Sequence, residues 1–301
     1  MLKKIFNKIE SILKYQHFAS TEDGSYRFLV DKVYKSTDID FIESVWQLDY
    51  FRELLVPQPA DLTPFRKVLV LAPHQDDESI GCGGTLLKLR EQGCKLTIGF
   101  LTDGRELSRP EKANVDRRKE EARKVCEALG AEMRSLDIDN TTMAITSAHT
   151  EELNRWLQEG WDAVFTVWPL DQPPKHRLCS YLVGSVLAKM VGLPVMFYGV
   201  HTDLLPNFYV DISEEIEKKQ SLIQKYTSQL EDRRYDHMSR GLDAWRSRYL
   251  PGSGQARYIE AFMGIPSEGY ADFQKIYKRV DAHKLFKGHE ACIQSFRKIK
   301  N

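Results

Sequence analysis

The sequence predicts an α/β fold of three layers, Rossmann-like with a mainly parallel sheet, preceded by an N-terminal helical extension. Three observations carry this expectation. Short apolar runs bounded by turn residues, such as Lys67-Val68-Leu69-Val70-Leu71-Ala72, read as strands buried on both faces. Charged or amphipathic stretches closed by glycine, such as Lys112 to Leu129 before Gly130, read as helices. The two kinds alternate from Lys67 to Gln229 at the pace of βαβ units.

The elements are expected in this order. After the strand from Lys67 to Ala72 comes a helix from Thr85 to Gln92, ended by Gly93. Leu96 to Thr102 is the second strand, and the charged helix from Lys112 follows. Met133 to Ile138 is a third strand and Thr150 to Gln158 a helix. Ala163 to Trp168 is a fourth strand, followed by a helix from His176 to Val191. Pro194 to Val200 is a fifth strand. Ser213 to Gln229 reads as one helix, with Ser213 as N-cap and Glu214, Glu215 and Glu217 in its first turns. The remainder to Asn301 reads as less regular.

The 301 residues divide into three segments: an extension over 1–65, a main domain over 66–265, and a C-terminal extension over 266–301 packed on that domain. In the first, Leu2, Ile5, Phe6, Ile9, Ile12 and Leu13 recur at helical spacing between lysines. This is the pattern of an amphipathic helix packed on its own domain or on a second copy of the chain, a peripheral membrane helix being the alternative. No uninterrupted apolar stretch suits a secretory leader, and no run approaches a membrane span. Lys plus Arg and Asp plus Glu each total 43, so the net charge is zero and no basic footprint asks for nucleic acid. Five cysteines with no C-x-x-C pair fit reduced thiols in a cytoplasmic protein.

The chemistry concentrates in Ala72-Pro73-His74-Gln75-Asp76-Asp77-Glu78, directly after the first long strand. Ligands of open α/β sheets bind at the carboxyl ends of the strands. An imidazole and three carboxylates packed there repel one another unless a cation sits among them. That donor set suits zinc, with other first-row metals as substitutes.

This segment and the pieces that follow it resemble the LmbE-like, or PIG-L-like, N-acetylglucosaminyl deacetylase family. Its A-H-P-D-D-E signature is matched by the segment just quoted, followed by Gly81-Cys82-Gly83-Gly84. Thr102-Asp103-Gly104, Arg118-Lys119-Glu120-Glu121, His176-Arg177, Val210-Asp211-Ile212-Ser213, Lys218 or Lys219, Tyr226 to Gln229 and Glu260-Ala261-Phe262 then appear in the family's order, over roughly residues 66–263. The resemblance implies hydrolysis of an N-acetyl group from an amino-sugar conjugate by metal-activated water. It implies His74, Asp77 and His176 as ligands of one zinc ion and Asp76 as general base. Arg118 matches a substrate-contacting arginine, and Asp103 and Arg105 are placed at the pocket. Glu78 either orients a ligand or caps the next helix.

The sequence departs from the family pattern at Gln75, where proline is usual, and at Pro173, where the first histidine of H-x-x-H stands. Lys175 also replaces a usual acidic residue. Lys175 and His201 are the candidates for the missing electrophilic help, with a plain surface-loop role as the alternative for His201. Two other functions compete. A nucleotide-binding Rossmann enzyme is suggested by the glycines at 81, 83 and 84, although Leu86 breaks the G-x-G-x-x-G spacing. A metal-binding protein without turnover is suggested by Pro173.

Overall fold

The computed structural model describes residues 44–45, 57–108, 111–252 and 254–300. The amphipathic segment from Leu2 to Leu13 lies outside them. Eight strands form one sheet: β1 (Gln58–Pro59), β2 (Lys67–Ala72), β3 (Lys95–Thr102), β4 (Glu132–Ile138), β5 (Ala163–Val167), β6 (Pro194–Tyr198), β7 (Phe208–Asp211) and β8 (Ile259–Pro266). Their order is β1-β7-β8-β6-β5-β2-β3-β4. The run from β6 through β5, β2 and β3 to β4 is parallel, as expected. Among the described strands only β8 runs against its neighbours, β6 and β7.

Side-chain alternation along β2 explains the layers. Val68, Val70 and Ala72 join one apolar cluster with Leu86, Leu89, Val125 and Leu129. Leu69 and Leu71 face the other way, into a cluster with Leu178, Leu182 and Phe273. A continuous apolar strand therefore supplies two cores, one per face of the sheet. Helices α1 (Asp77–Glu91), α2 (Lys112–Leu129) and α5 (Ile216–Ile223) cover the first face, and α3 (Ser147–Leu157) and α4 (Pro174–Leu187) the second.

Several expected boundaries move. The helix predicted from Thr85 starts at Asp77, inside the acidic segment. The glycines at 81 and 84 are helical residues pressed against the sheet side: a Cβ at Gly81 would lie 2.2 Å from the Tyr198 ring and one at Gly84 2.7 Å from Ile212. They serve close packing and not a turn. The helix predicted from Ser213 to Gln229 is two pieces, α5 and the single turn α6 (Thr227–Leu230). Ser213 is not the N-cap; its hydroxyl donates to Asp211 Oδ1 at 2.6 Å. The break puts the buried Tyr226 hydroxyl on Glu78 Oε1, 2.7 Å away. The helix predicted to reach Val191 ends at Leu187, and the fifth strand ends at Tyr198. The less regular remainder contains helices α7 (Tyr235–Arg246), α8 (Tyr270–Arg279), the turn α9 (Ala282–Leu285) and α10 (Glu290–Lys300). Tyr270, Phe273 and Tyr277 of α8 lie in the second core, so the 266–300 stretch packs on the sheet.

Helix α1 is kinked at Cys82, whose φ and ψ are −147° and 18°. The kink takes the amide N–H groups of Gly84 and Thr85 out of the helical ladder. Both donate to the Glu260 carboxylate of β8, at 2.8 and 2.7 Å. Lys219 Nζ in turn meets Glu260 at 2.8 Å and Asp243 at 2.6 Å, all three side chains being at most 1% exposed. Burial raises Asp243 to about 6 against the pull of Lys219. Removing one partner of such a cluster strands the others' charge, at a cost of about 3–5 kcal/mol. Lys219→Met should therefore lower the unfolding free energy by about that much in urea titration; a loss below about 1 kcal/mol would refute the ionised cluster.

Candidate active site

Four parallel strands end at the same edge of the sheet, and each delivers part of the site. β2 leads into His74, Asp76 and Asp77; β4 into Asn140; β5 into Asp171 and His176; β6 into His201. Asp77 is the first residue of α1 and His176 lies in the first turn of α4. Helix starts reached straight from strand ends place side chains with little freedom.

The loop from Pro73 to Asp76 is fixed from several sides. Thr102 donates to Pro73 O through N–H and hydroxyl, at 3.1 and 2.8 Å. Gln75 Nε2 donates to Thr102 O at 2.9 Å, and Arg118 Nη2 to Gln75 O at 3.1 Å. Glu78 Oε2 accepts the N–H of Asp76, the N-cap residue of α1, at 3.2 Å, which ties the loop to the helix start. These contacts hold Asp76 at φ 133°, ψ −27°, a strained conformation for a residue with a Cβ, costing roughly 1–3 kcal/mol.

His74 Nδ1, Asp77 Oδ2 and His176 Nε2 form a triangle. Its edges are 3.0 Å between the histidines, 3.2 Å from His74 to Asp77 and 3.3 Å from His176 to Asp77. Atoms bound at about 2.0–2.2 Å to a tetrahedral ion stand about 3.3 Å apart, so the triangle has the size of three protein ligands with a fourth position open. The outer nitrogens have partners that set the tautomers. Asn140 Oδ1 lies 2.9 Å from His74 Nε2, and its amide is oriented by donating to Arg105 O at 2.8 Å. Asp171 Oδ2 lies 2.8 Å from His176 Nδ1. Both inner nitrogens thus turn lone pairs toward each other and toward a carboxylate. A proton or a cation must occupy that space.

The charges agree. Burial holds His74 down at about 4 despite Asp77. Burial opposes charge on His176 too, but Asp77 and Asp171 outweigh it and raise its pKa. Asp77, pushed up by burial, is held below the usual carboxylate range by His176 and His74. Asp76 goes the other way: burial, then the Asp77 charge, push its carboxyl well above that range, against Arg118 at 3.7 Å. The site thus pairs one strongly ionised carboxylate with one of high proton affinity.

The other sequence candidates divide. Arg118 is buried, not solvated, and also donates to Gly104 O at 3.0 Å. Asp103 Oδ1 accepts the N–H groups of Asn140 and Arg105, each at 3.0 Å, so it supports the residue behind His74. Arg105 pairs with Asp103 at 3.3 Å while its side chain stays 39% exposed. Lys175 is half-buried and, among the described residues, makes no hydrogen bond or ion pair with the triangle. His201 is exposed, as a surface-loop residue would be, yet its ring centroid lies 5.3 Å from that of His176 and 6.0 Å from that of Tyr235. A cleft of about 630 Å³ opens there, lined by Gln172, Pro173, His201, Thr202, Arg233 and Tyr235 among others. A groove of about 680 Å³ along β1 and β7 holds none of these groups. Trp161 and Trp168 are core residues. Sequence reasoning assigned nothing to Asn140 and Asp171; their one signal was a position just beyond a strand's carboxyl end. The glycines at 81, 83 and 84 are buried in α1, which leaves no cradle for a pyrophosphate.

Residues 69–187 match the family model described as PIG-L: GlcNAc-PI de-N-acetylase, in agreement with the resemblance read from the ordered motifs. Over 230 residues the chain is 29% identical to the diacetylchitobiose deacetylase of Thermococcus kodakarensis, covering 67% of this chain and 84% of that one. The N,N'-diacetylchitobiose deacetylase structure from Pyrococcus horikoshii superposes with a TM-score of 0.60 at 22% identity, over 83% of this chain and 95% of its own. The 4-carboxy-2-hydroxymuconate hydratase of Pseudomonas putida KT2440 does so with 0.57 at 21%, over 66% and 96%. These structures show the shared fold, and the hydratase shows that the fold serves more than one reaction.

Metal analysis tests the triangle. Purified protein is expected to carry about one divalent ion per chain, and His176→Ala to lose it. Asp171→Asn should weaken metal affinity about 10- to 100-fold, the usual effect of altering a carboxylate behind a ligating histidine. Full metal retention in both variants would place the ligands elsewhere.

Proposed function

From a chain that carries a PIG-L family domain over residues 69–187, we propose a zinc-dependent N-deacetylase that hydrolyses the N-acetyl group of a GlcNAc-like amino-sugar conjugate. The observation that carries this is the triangle of His74 Nδ1, Asp77 Oδ2 and His176 Nε2, whose histidine tautomers are set from outside. A deacetylase reading also accords with the name of the Thermococcus relative.

His74, Asp77 and His176 would hold the ion. Zinc, when bound, supplies a Lewis acid for the amide carbonyl and lowers the pKa of a water toward roughly 7. Asp76 cannot share the ligand role of Asp77, since adjacent side chains diverge. It accepts a proton from the attacking water and returns it to the leaving amine nitrogen, giving acetate and the free amine. Its raised proton affinity suits a base that must later act as an acid. Arg118, 3.7 Å from Asp76 Oδ1, steadies that carboxylate in its charged form and fixes the loop through Gln75 O. Arg105, partly exposed beside Asp103, would meet sugar hydroxyls.

Incubation with a panel of N-acetylhexosamine conjugates is expected to yield products lighter by one acetyl unit. Asp76→Asn keeps the side chain's shape and removes its basicity. Metal should remain bound while turnover falls by roughly two to four orders of magnitude. Near-normal turnover in that variant would exclude Asp76 as the base; a wild type that binds metal without any turnover would favour a non-catalytic binding protein.

A further inference from the structure

Amide hydrolysis places negative charge on the acyl oxygen, and a fixed donor at that oxygen is commonly worth about 100- to 1,000-fold in turnover. The nearest main chain offers little. Pro173 and Pro174, just before His176, have no N–H. The Asp171 carboxylate is committed to His176 and to the N–H groups of His201 and Thr202. The Gln172 carboxamide oxygen accepts from Lys287 at 2.7 Å, which leaves its buried Nε2 as the other side-chain donor of this stretch.

We propose that His201 is a catalytic residue, whose imidazole N–H donates a hydrogen bond to the substrate's acyl oxygen as charge develops there. This rests on the deacetylase reading above and deepens it. Three observations support it. Asp171 Oδ1 accepts the His201 N–H at 3.0 Å and the Thr202 N–H at 2.7 Å, while Oδ2 holds His176. One buried carboxylate thus fixes the main chain of His201 relative to a ligand of the triangle. The His201 ring neighbours the rings of His176 and Tyr235, at 5.3 and 6.0 Å between centroids. It lines the 630 Å³ cleft, and among the described residues neither of its ring nitrogens has a hydrogen-bond partner. A neutral imidazole always carries one N–H, so the donor needs no added proton. The balance of the step is unchanged. A C–O bond to water forms and the C–N bond breaks. Asp76 moves the proton from water to the amine, and His201 gives up none.

The test uses the full-length, zinc-loaded protein and a conjugate that the wild type deacetylates. His201→Phe keeps a ring beside His176 and Tyr235 but has no donor. Its kcat should fall about 100-fold or more, with KM changed less than threefold and zinc content unchanged. His201→Gln, which restores an N–H, should recover at least tenfold of that loss. Lys175→Met should stay within threefold of wild type. A His201→Phe kcat within threefold of wild type overturns the proposal, as does loss of zinc or a change in KM alone. Lys175→Met falling as far as His201→Phe would move the donor to Lys175. A wild type that deacetylates no conjugate refutes the deacetylase reading itself, an outcome distinct from an active enzyme indifferent to His201.

Discussion

The buried carboxylate of Asp171 is the interaction on which the rest of the site depends. One oxygen orients His176 and the other takes the main-chain N–H groups of His201 and Thr202. Two loops that leave the sheet from neighbouring strands, β5 and β6, are thereby tied at a point with no solvent. Full burial favours the neutral acid, yet His176 holds Asp171 below the usual carboxylate range. The site thus trades a desolvation cost for a fixed imidazole, as in carboxylate–histidine–metal arrangements generally.

A second tie lies at the middle of α1. The kink at Cys82 divides the helix, and Glu260 of the antiparallel strand β8 caps the second half through Gly84 and Thr85. A carboxylate at a helix start is favoured by the exposed N–H groups and the helix dipole together. The cap is anchored by Lys219, so α1, α5 and β8 meet at one buried charge cluster. On the other half, Glu78 joins the Tyr226 hydroxyl to the Asp76 N–H. The residues that carry the chemistry are therefore held at the start of a helix that is itself held at its middle.

Much of this was legible in the sequence, for identifiable reasons. The strands β2, β3 and β5 are apolar runs that only a doubly covered sheet explains, and Gly130 marks the end of α2 with its left-handed φ of 62°. The grouping of His74, Asp76 and Asp77 was legible because carboxylates so crowded at a strand end have no structural use. The start of α1 was not, because glycines required for packing against Tyr198 and Ile212 look like a turn when nothing shows what they touch. Asp171 and Asn140 were hidden because a residue behind a ligand has no spacing rule. The place of His201 was hidden because its neighbours His176 and Tyr235 are distant in sequence and meet only through the sheet.

The backbone at Asp76 carries a consequence for substitution at that position. Glycine adopts a φ of 133° freely, and it would also remove one of three crowded carboxylates. Glycine there would relieve the strain, but it would leave the buried Arg118, 3.7 Å away, without that carboxylate. Strained backbone of this kind clusters where chemistry is done, which accords with the proton-transfer role proposed for Asp76.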